Sequence, residues 1–315
     1  MKIVMLEAAI LTMGDISFEP IYALGDVREY SLTPVDKIVE YIGDADIALC
    51  NKTPFTEDVL RACPNLKYIG VCATGYNNID IKACKELGIT VSNAPAYSTN
   101  AVAQQVFSFI LHFTNKTASY NDFVKDNGWI KSKTFANIAY PTTELSGKTI
   151  GIIGYGEIGR SVAKIAQAFN MNVIVNTRTA KQDSMVKFVG LPEIFEKADF
   201  ITAHCPLTDA TQKLINADML KLCKPSAIFI NTSRGGVVDE FDLANALNNG
   251  IIAGAGLDVL AIEPMSEKCT LINAKNCVIT PHVAWAAFET RQRLVSLVTD
   301  NMKAFIDGKP INVVA

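Results

Sequence analysis

Gly154-Tyr155-Gly156-Glu157-Ile158-Gly159 decides how this chain of 315 residues is read. The apolar run 149–153 before it reads as a buried strand, and 157–169 after it keeps helical spacing, so the glycines stand at a strand-to-helix turn. In that setting the first glycine allows the tight turn, the second lets backbone approach a pyrophosphate, and the third lets helix and strand pack closely. The helix turns its unpaired N–H groups and its positive dipole end toward the phosphates. Gly154, Tyr155, Gly156, Glu157, Ile158 and Gly159 are therefore expected to line a dinucleotide. The end of the next strand, 172–176, breaks the usual pattern. An acid that accepts the adenosine ribose hydroxyls belongs about 20 residues into such a unit, yet the chain reads Asn176-Thr177-Arg178-Thr179. Thr177 can donate to a 2′-phosphate and Arg178 can pair with that dianion, with Lys181 near in sequence. NADP is the expected cofactor and NAD the alternative.

Outward from the fingerprint, strand-like runs at 149–153, 172–176, 199–203, 226–231, 251–257 and 276–280 alternate with helical stretches. This makes 101–285 a doubly wound dinucleotide-binding domain. The same alternation fills the first hundred residues, with strands at 2–6, 46–50, 67–71 and 89–92. A second parallel-sheet domain, flavodoxin-like in kind, is expected over 1–100, completed by 286–315 as the long amphipathic helix 286–306 returns to it. The fold class is α/β with two doubly wound domains. Helical spacing over 101–124 predicts one long helix bridging them, with His112 packed inside it. Trp129, Ile130, Phe135 and Tyr140 lie in the aperiodic segment 125–147, and apolar side chains on such an arm call for a partner surface. A homodimer contact near 120–147 is expected.

Composition removes other classes. Apolar residues make up 49% of the chain, enough for two cores, and a net charge of −3 leaves no basic excess for nucleic acid. No apolar run approaches the ~20 residues of a membrane span, and the start MKIVMLEAAI lacks a signal-peptide layout. Eight cysteines are dispersed without a C-x-x-C pair, which argues for reduced thiols, a cytoplasmic setting and no metal site. A small molecule is the expected partner.

Ligands of an open parallel sheet bind beyond the carboxyl ends of its strands, and three such positions carry reactive types: Arg234, Glu263 and His282. Arginine can clamp a carboxylate through two parallel bonds. Histidine exchanges a proton near neutrality, and a carboxylate beside an imidazole favours its charged form and fixes its orientation. The set suits reduction of a 2-keto acid, which needs a hydride at the carbonyl carbon, a proton at its oxygen and an anchor for the carboxylate. His204 also ends a strand, but on the adenosine side of the crevice, where cofactor contact or structure is the better role.

With these motifs assembled, the chain resembles the D-isomer-specific 2-hydroxyacid dehydrogenases along essentially its whole length. The resemblance rests on Ala73-Thr74-Gly75-Tyr76-Asn77-Asn78-Ile79-Asp80, the glycine fingerprint, His204-Cys205-Pro206-Leu207-Thr208, the Arg234 and Glu263-Pro264 motifs, and His282. Asn51-Lys52-Thr53-Pro54, Pro95-Ala96-Tyr97-Ser98-Thr99 and Pro281-His282-Val283-Ala284-Trp285-Ala286 are similar to the glycerate dehydrogenase, or hydroxypyruvate reductase, branch. D-lactate and D-3-phosphoglycerate dehydrogenases are the alternatives within the family, and a non-catalytic dinucleotide sensor of the same fold is the alternative outside it. The resemblance implies His282 as acid and base, Glu263 as its partner and Arg234 as the substrate clamp. It implies substrate contacts from Lys52, Thr74, Gly75, Tyr76 and Trp285, in a cleft that closes over the hydride path. It assigns cofactor contact to His204, Cys205, Pro206 and Thr211, to Thr232 and Ser233, and to Asp258 and Ala284.

Overall fold

The computed structural model describes residues 1–179 and 183–315. Lys181 lies outside the described residues. The chain divides into two compact units, Met1–Ser98 with Trp285–Ala315, and Thr99–Ala284.

The first unit is built on β1 (Lys2–Met5), β2 (Asp26–Glu29), β3 (Ile47–Cys50), β4 (Tyr68–Val71) and β5 (Thr90–Ser92). All pair in parallel in the order β2-β1-β3-β4-β5, the flavodoxin-like order expected of the domain. The central strands β3 and β4 are buried along their length, because helices cover both faces of such a sheet. Strand β2, DVRE, has no buried residue; an edge strand with that composition carries no apolar alternation to read. The helix Phe288–Ile306 belongs to this unit and buries Leu294, Val295, Val298 and Met302. Its Arg291, 5% exposed, reaches both carboxylate oxygens of Asp15 at 2.7 Å.

The second unit holds β6 (Thr149–Ile153), β7 (Asn172–Asn176), β8 (Lys187–Phe188), β9 (Phe200–Ala203), β10 (Ile228–Asn231), β11 (Gly254–Leu257) and β12 (Cys277–Ile279). They pair in parallel in the order β12-β11-β10-β9-β6-β7-β8. The order reverses at β6 and β9, and the fingerprint follows β6, so the turn sits at the switch point where dinucleotides bind. Gly254 and Gly256 let the helix Thr99–Asn115 lie on β11: a Cβ at Gly256 would stand 2.6 Å from the Phe109 ring.

The expected single helix over 101–124 is two, Thr99–Asn115 and Thr117–Lys125, broken at Lys116 with φ +51°. His112 is exposed rather than packed, since the buried residues Val106, Phe109, Ile110 and Thr114 occupy another face of its helix. On the arm, Tyr140 is tied back by the Tyr120 hydroxyl, which donates to the Tyr140 carbonyl at 2.7 Å. Trp129, Ile130, Phe135 and Ile138 remain 53, 79, 93 and 89% exposed. Among the described residues no helix is long and apolar enough to cross a membrane, and no cluster of three or more His, Cys, Asp or Glu could hold a metal. All eight cysteines are free.

Candidate active site

The fingerprint turn is shaped by what each glycine touches. Gly154 has φ +96°, and a Cβ there would lie 2.7 Å from the His204 and Cys205 backbone. At Gly159 a Cβ would meet the Gly154 carbonyl at 2.3 Å. Gly156 has nothing within 4 Å. Open space at that residue, beside the first turn of the helix Glu157–Ala168, supplies the room and the donors that a pyrophosphate requires, so these residues fit a dinucleotide. Ile158 packs on the core below. Glu157 is paired with Arg160, whose guanidinium also donates to the Tyr155 carbonyl at 3.2 Å; its charge is thereby balanced next to the anion-facing turn.

The Tyr155 side chain turns inward. It is 4% exposed, its hydroxyl donates to Asp183 at 2.7 Å, and its ring meets Phe188 edge-on. Burial, and then the Asp183 bond, pushes the phenol up to about 12. At the end of β7, Thr177 is half-buried and Arg178 exposed.

Beyond β9, His204 Nε2 lies 2.9 Å from the Thr202 hydroxyl, while its Nδ1 is buried without a partner among the described residues. Burial pulls this imidazole down to about 3. The neutral form of the ring is therefore favoured at physiological pH. The loop continues through buried Cys205 and exposed Pro206 and is closed by Thr211, whose hydroxyl donates to the Pro206 carbonyl at 2.6 Å. Thr232 Oγ1, beyond β10, is another buried atom with no partner among the described residues.

Arg234, Glu263 and His282 stand on the loops beyond the neighbouring strands β10, β11 and β12. Asn231, at the end of β10 and 1% exposed, accepts from the Ser233 N–H and hydroxyl and donates to the Arg234 carbonyl at 2.9 Å. That asparagine fixes the turn carrying Arg234, a role not foreseen from the sequence although its position at a strand end was a signal. Gly235 follows because a Cβ there would fall 1.8 Å from the Leu260 carbonyl carbon. The close crossing brings the Arg234 turn against the loop that bears Glu263. Within that loop Glu263 Oε1 accepts from the Leu260 N–H at 3.0 Å, and Oε2 lies 2.7 Å from His282 Nδ1. One carboxylate thus fixes its own loop and the imidazole. The ring is oriented through Nδ1, which leaves Nε2 for a reacting group.

His282 itself has φ +56°, a left-handed backbone unusual for a residue with a Cβ. Asp258, 1% exposed at the end of β11, holds it there. Its Oδ1 accepts from the Thr280 hydroxyl at 2.5 Å and the Val283 N–H at 2.9 Å, and its Oδ2 accepts from the Ala284 N–H at 2.8 Å. Burial raises this carboxyl above its ordinary value, and those bonds pull it partly back. All three bonds go to residues flanking His282. Thr280, which Gln105 approaches at 3.5 Å, had no distinguishing signal in the sequence.

In the first unit, Lys52 is exposed beyond β3. Thr74 follows β4 and is pinned from both sides, its hydroxyl donating to the Ala94 carbonyl at 2.8 Å and its carbonyl accepting from Asn93 at 2.7 Å. The N–H groups of Gly75 and Tyr76 have no acceptor among the described residues. Trp285 packs edge-on against Tyr97 at 6.4 Å.

A glycine turn at the switch point of a doubly wound sheet, with an imidazole–carboxylate pair and an arginine on the same rim, defines a dinucleotide-dependent oxidoreductase. Residues 107–284 match the family described as D-isomer specific 2-hydroxyacid dehydrogenase, NAD binding domain. The chain is 40% identical to the hydroxypyruvate reductase of Blautia hydrogenotrophica, over 100% of its own length and 99% of that protein. It is 43% identical to the glycerate dehydrogenase of Methylorubrum extorquens over 92% of each. Among solved structures, an acyclic imino acid reductase in complex with NADPH and D-Arg superposes with a TM-score of 0.89 at 30% identity, covering 100% of both chains. The chain belongs to the D-isomer-specific 2-hydroxyacid dehydrogenase family.

Proposed function

We propose that this enzyme reduces hydroxypyruvate and glyoxylate to D-glycerate and glycolate, with NADPH preferred over NADH. The observation that carries the reading is the 2.7 Å pair between His282 Nδ1 and Glu263 Oε2, on the rim that also bears Arg234. The kinship with a hydroxypyruvate reductase and a glycerate dehydrogenase supports the choice of substrate.

In reduction, His282 gives the proton on Nε2 to the substrate's carbonyl oxygen, and in oxidation it takes that proton back. Glu263 accepts from Nδ1–H and so keeps the ring aimed as the proton moves. The Arg234 guanidinium holds the carboxylate and the carbonyl oxygen, which fixes the plane of the keto acid. When bound, the reduced nicotinamide supplies the hydride. Lys52, the amides of Thr74, Gly75 and Tyr76, and Trp285 are the proposed contributions of the first unit to substrate recognition. Thr177 and Arg178 form the proposed 2′-phosphate site, supported by the absence of an acid at position 177 and by the NADPH bound to the imino acid reductase.

The exposed Trp129, Ile130, Phe135 and Ile138 support a homodimer in which the arm is covered by a second copy. Eight free cysteines support a reducing, cytoplasmic setting.

The test is a kcat/KM panel of hydroxypyruvate, glyoxylate, pyruvate and phosphohydroxypyruvate against both reduced cofactors. The first two with NADPH should lead. Preference for pyruvate or phosphohydroxypyruvate would move the enzyme to another branch of the family, and no turnover with any of them would make it a dinucleotide sensor.

A further inference from the structure

Glu7 follows β1, far in sequence from every residue so far given a role. Its backbone leaves the sheet where β1 lies beside β3, at the Leu6 N–H to Leu49 carbonyl bond of 3.0 Å. Its carboxylate crosses to the loop beyond β3, where Oε2 accepts from the N–H groups of Asn51, Lys52 and Thr53 at 2.7, 2.8 and 2.9 Å. Successive amides converging on one point make a concavity that binds anions. Here the chain fills it with its own carboxylate.

The loop is also fastened at both flanks. The Asn51 side chain donates to the Cys72 carbonyl at 2.8 Å, and the Thr53 carbonyl accepts from Asn78 at 2.8 Å. Lys52 lies between these anchors, its backbone fixed and its side chain exposed. The sheet bonds between β1 and β3 do not need Glu7, and with Asn51 and Thr53 only 6 and 4% exposed it is this carboxylate that satisfies their amides. A charged side chain spent on three amides fixes the one residue in the loop that carries a cation.

We propose that Glu7 is a positioning residue for 2-keto acid binding: by filling the amide nest at Asn51–Thr53 it sets Lys52 for the substrate carboxylate and denies that nest to the incoming anion. The inference rests on the proposed reductase activity and on the proposed role of Lys52. An acceptor oxygen is what the nest needs, so Glu7→Gln keeps the loop in place and Glu7→Ala releases it.

Steady-state kinetics with hydroxypyruvate and hydrogen exchange on the cofactor-free enzyme test this together. Lys52→Ala should raise KM for hydroxypyruvate about tenfold, the scale of a lost hydrogen bond to a charged group. Glu7→Ala should raise it about fivefold while kcat and the cofactor KM stay within about twofold, and Glu7→Gln should stay near the parent enzyme. The double variant Glu7→Ala/Lys52→Ala should be no worse than Lys52→Ala alone, because both changes remove one interaction. Exchange of the Asn51, Lys52 and Thr53 amides should quicken in Glu7→Ala and not in Glu7→Gln.

Independent, multiplying effects of Glu7→Ala and Lys52→Ala, an unchanged KM in Glu7→Ala, or a Glu7→Gln as impaired as Glu7→Ala would overturn the proposal. If Lys52→Ala leaves KM unchanged, the role of Lys52 falls and the proposal with it. If the parent enzyme turns over no keto acid, the functional reading falls, and unchanged exchange at the three amides would separately show that Glu7 does not hold the loop.

Discussion

Glu7 collects three amides of the loop beyond β3, and Asp258 collects two amides and a hydroxyl of the loop beyond β12. The two carboxylates do similar work under different loads. Asp258 is 1% exposed, and the loop it holds contains His282 at φ +56°, a conformation that costs a residue with a Cβ roughly 1–2 kcal/mol. Glu7 is half-buried, and residues 51–53 have no left-handed backbone. In the proposed role the short imidazole delivers a proton at one point, which a forced and locked backbone suits. A lysine has four methylenes with which to find a carboxylate, so anchoring its loop suffices.

Removing the heavier lock should have the larger effect. Asp258→Ala strands the Val283 and Ala284 N–H groups and lets His282 relax. Misplacement of a catalytic group by about 1 Å can cost on the order of 10²-fold, so kcat should fall by about that factor. The buried Ala284 N–H left without an acceptor should lower stability by about 1–3 kcal/mol, visible as a lower Tm. A variant with parental kcat and Tm would show that the two loops do not differ in the way described.

The exposed strand end after β7 provides a milder case. Arg178→Ala should lower kcat/KM for NADPH about tenfold, the worth of a charge-assisted bond, and leave NADH nearly unchanged. Equal losses with both cofactors would remove the 2′-phosphate site.

His204, beyond β9, sharpens the contrast through pH, since burial rather than bonding sets its state. Its folded value of about 3 lies below the ordinary 6.5. Between those values the unfolded chain binds a proton that the folded chain does not, so stability declines as pH falls through that window, by up to about 1.4 kcal/mol per pH unit from this one group. His204→Gln should flatten the Tm profile below pH 6.5. A slope as steep as that of the parent enzyme would show that His204 is not held neutral.

Much of the fold was legible because apolar strands alternate with helices and the glycine fingerprint marks the switch point. The trio was legible for a related reason: each member lies just beyond a strand. What escaped reading lacked a local signal. Strand β2 is an edge of polar composition, and β8 is only Lys187–Phe188. The break at Lys116 depends on a left-handed residue of a type that ordinarily continues a helix. Glu7 was invisible because its partners lie 44–46 residues away, a separation that only the pairing of β1 with β3 closes. The resemblance assigns Asp258 to cofactor contact, but the bonds of its carboxylate to the His282 loop had no signal in the sequence.

The role of His282 as proton donor and acceptor stands or falls on His282→Ala, with turnover of hydroxypyruvate measured beside cofactor affinity. General acid catalysis contributes about 10²–10⁴-fold, so kcat should fall by that order while NADPH still binds with parental affinity. Turnover close to that of the parent enzyme would contradict the assignment.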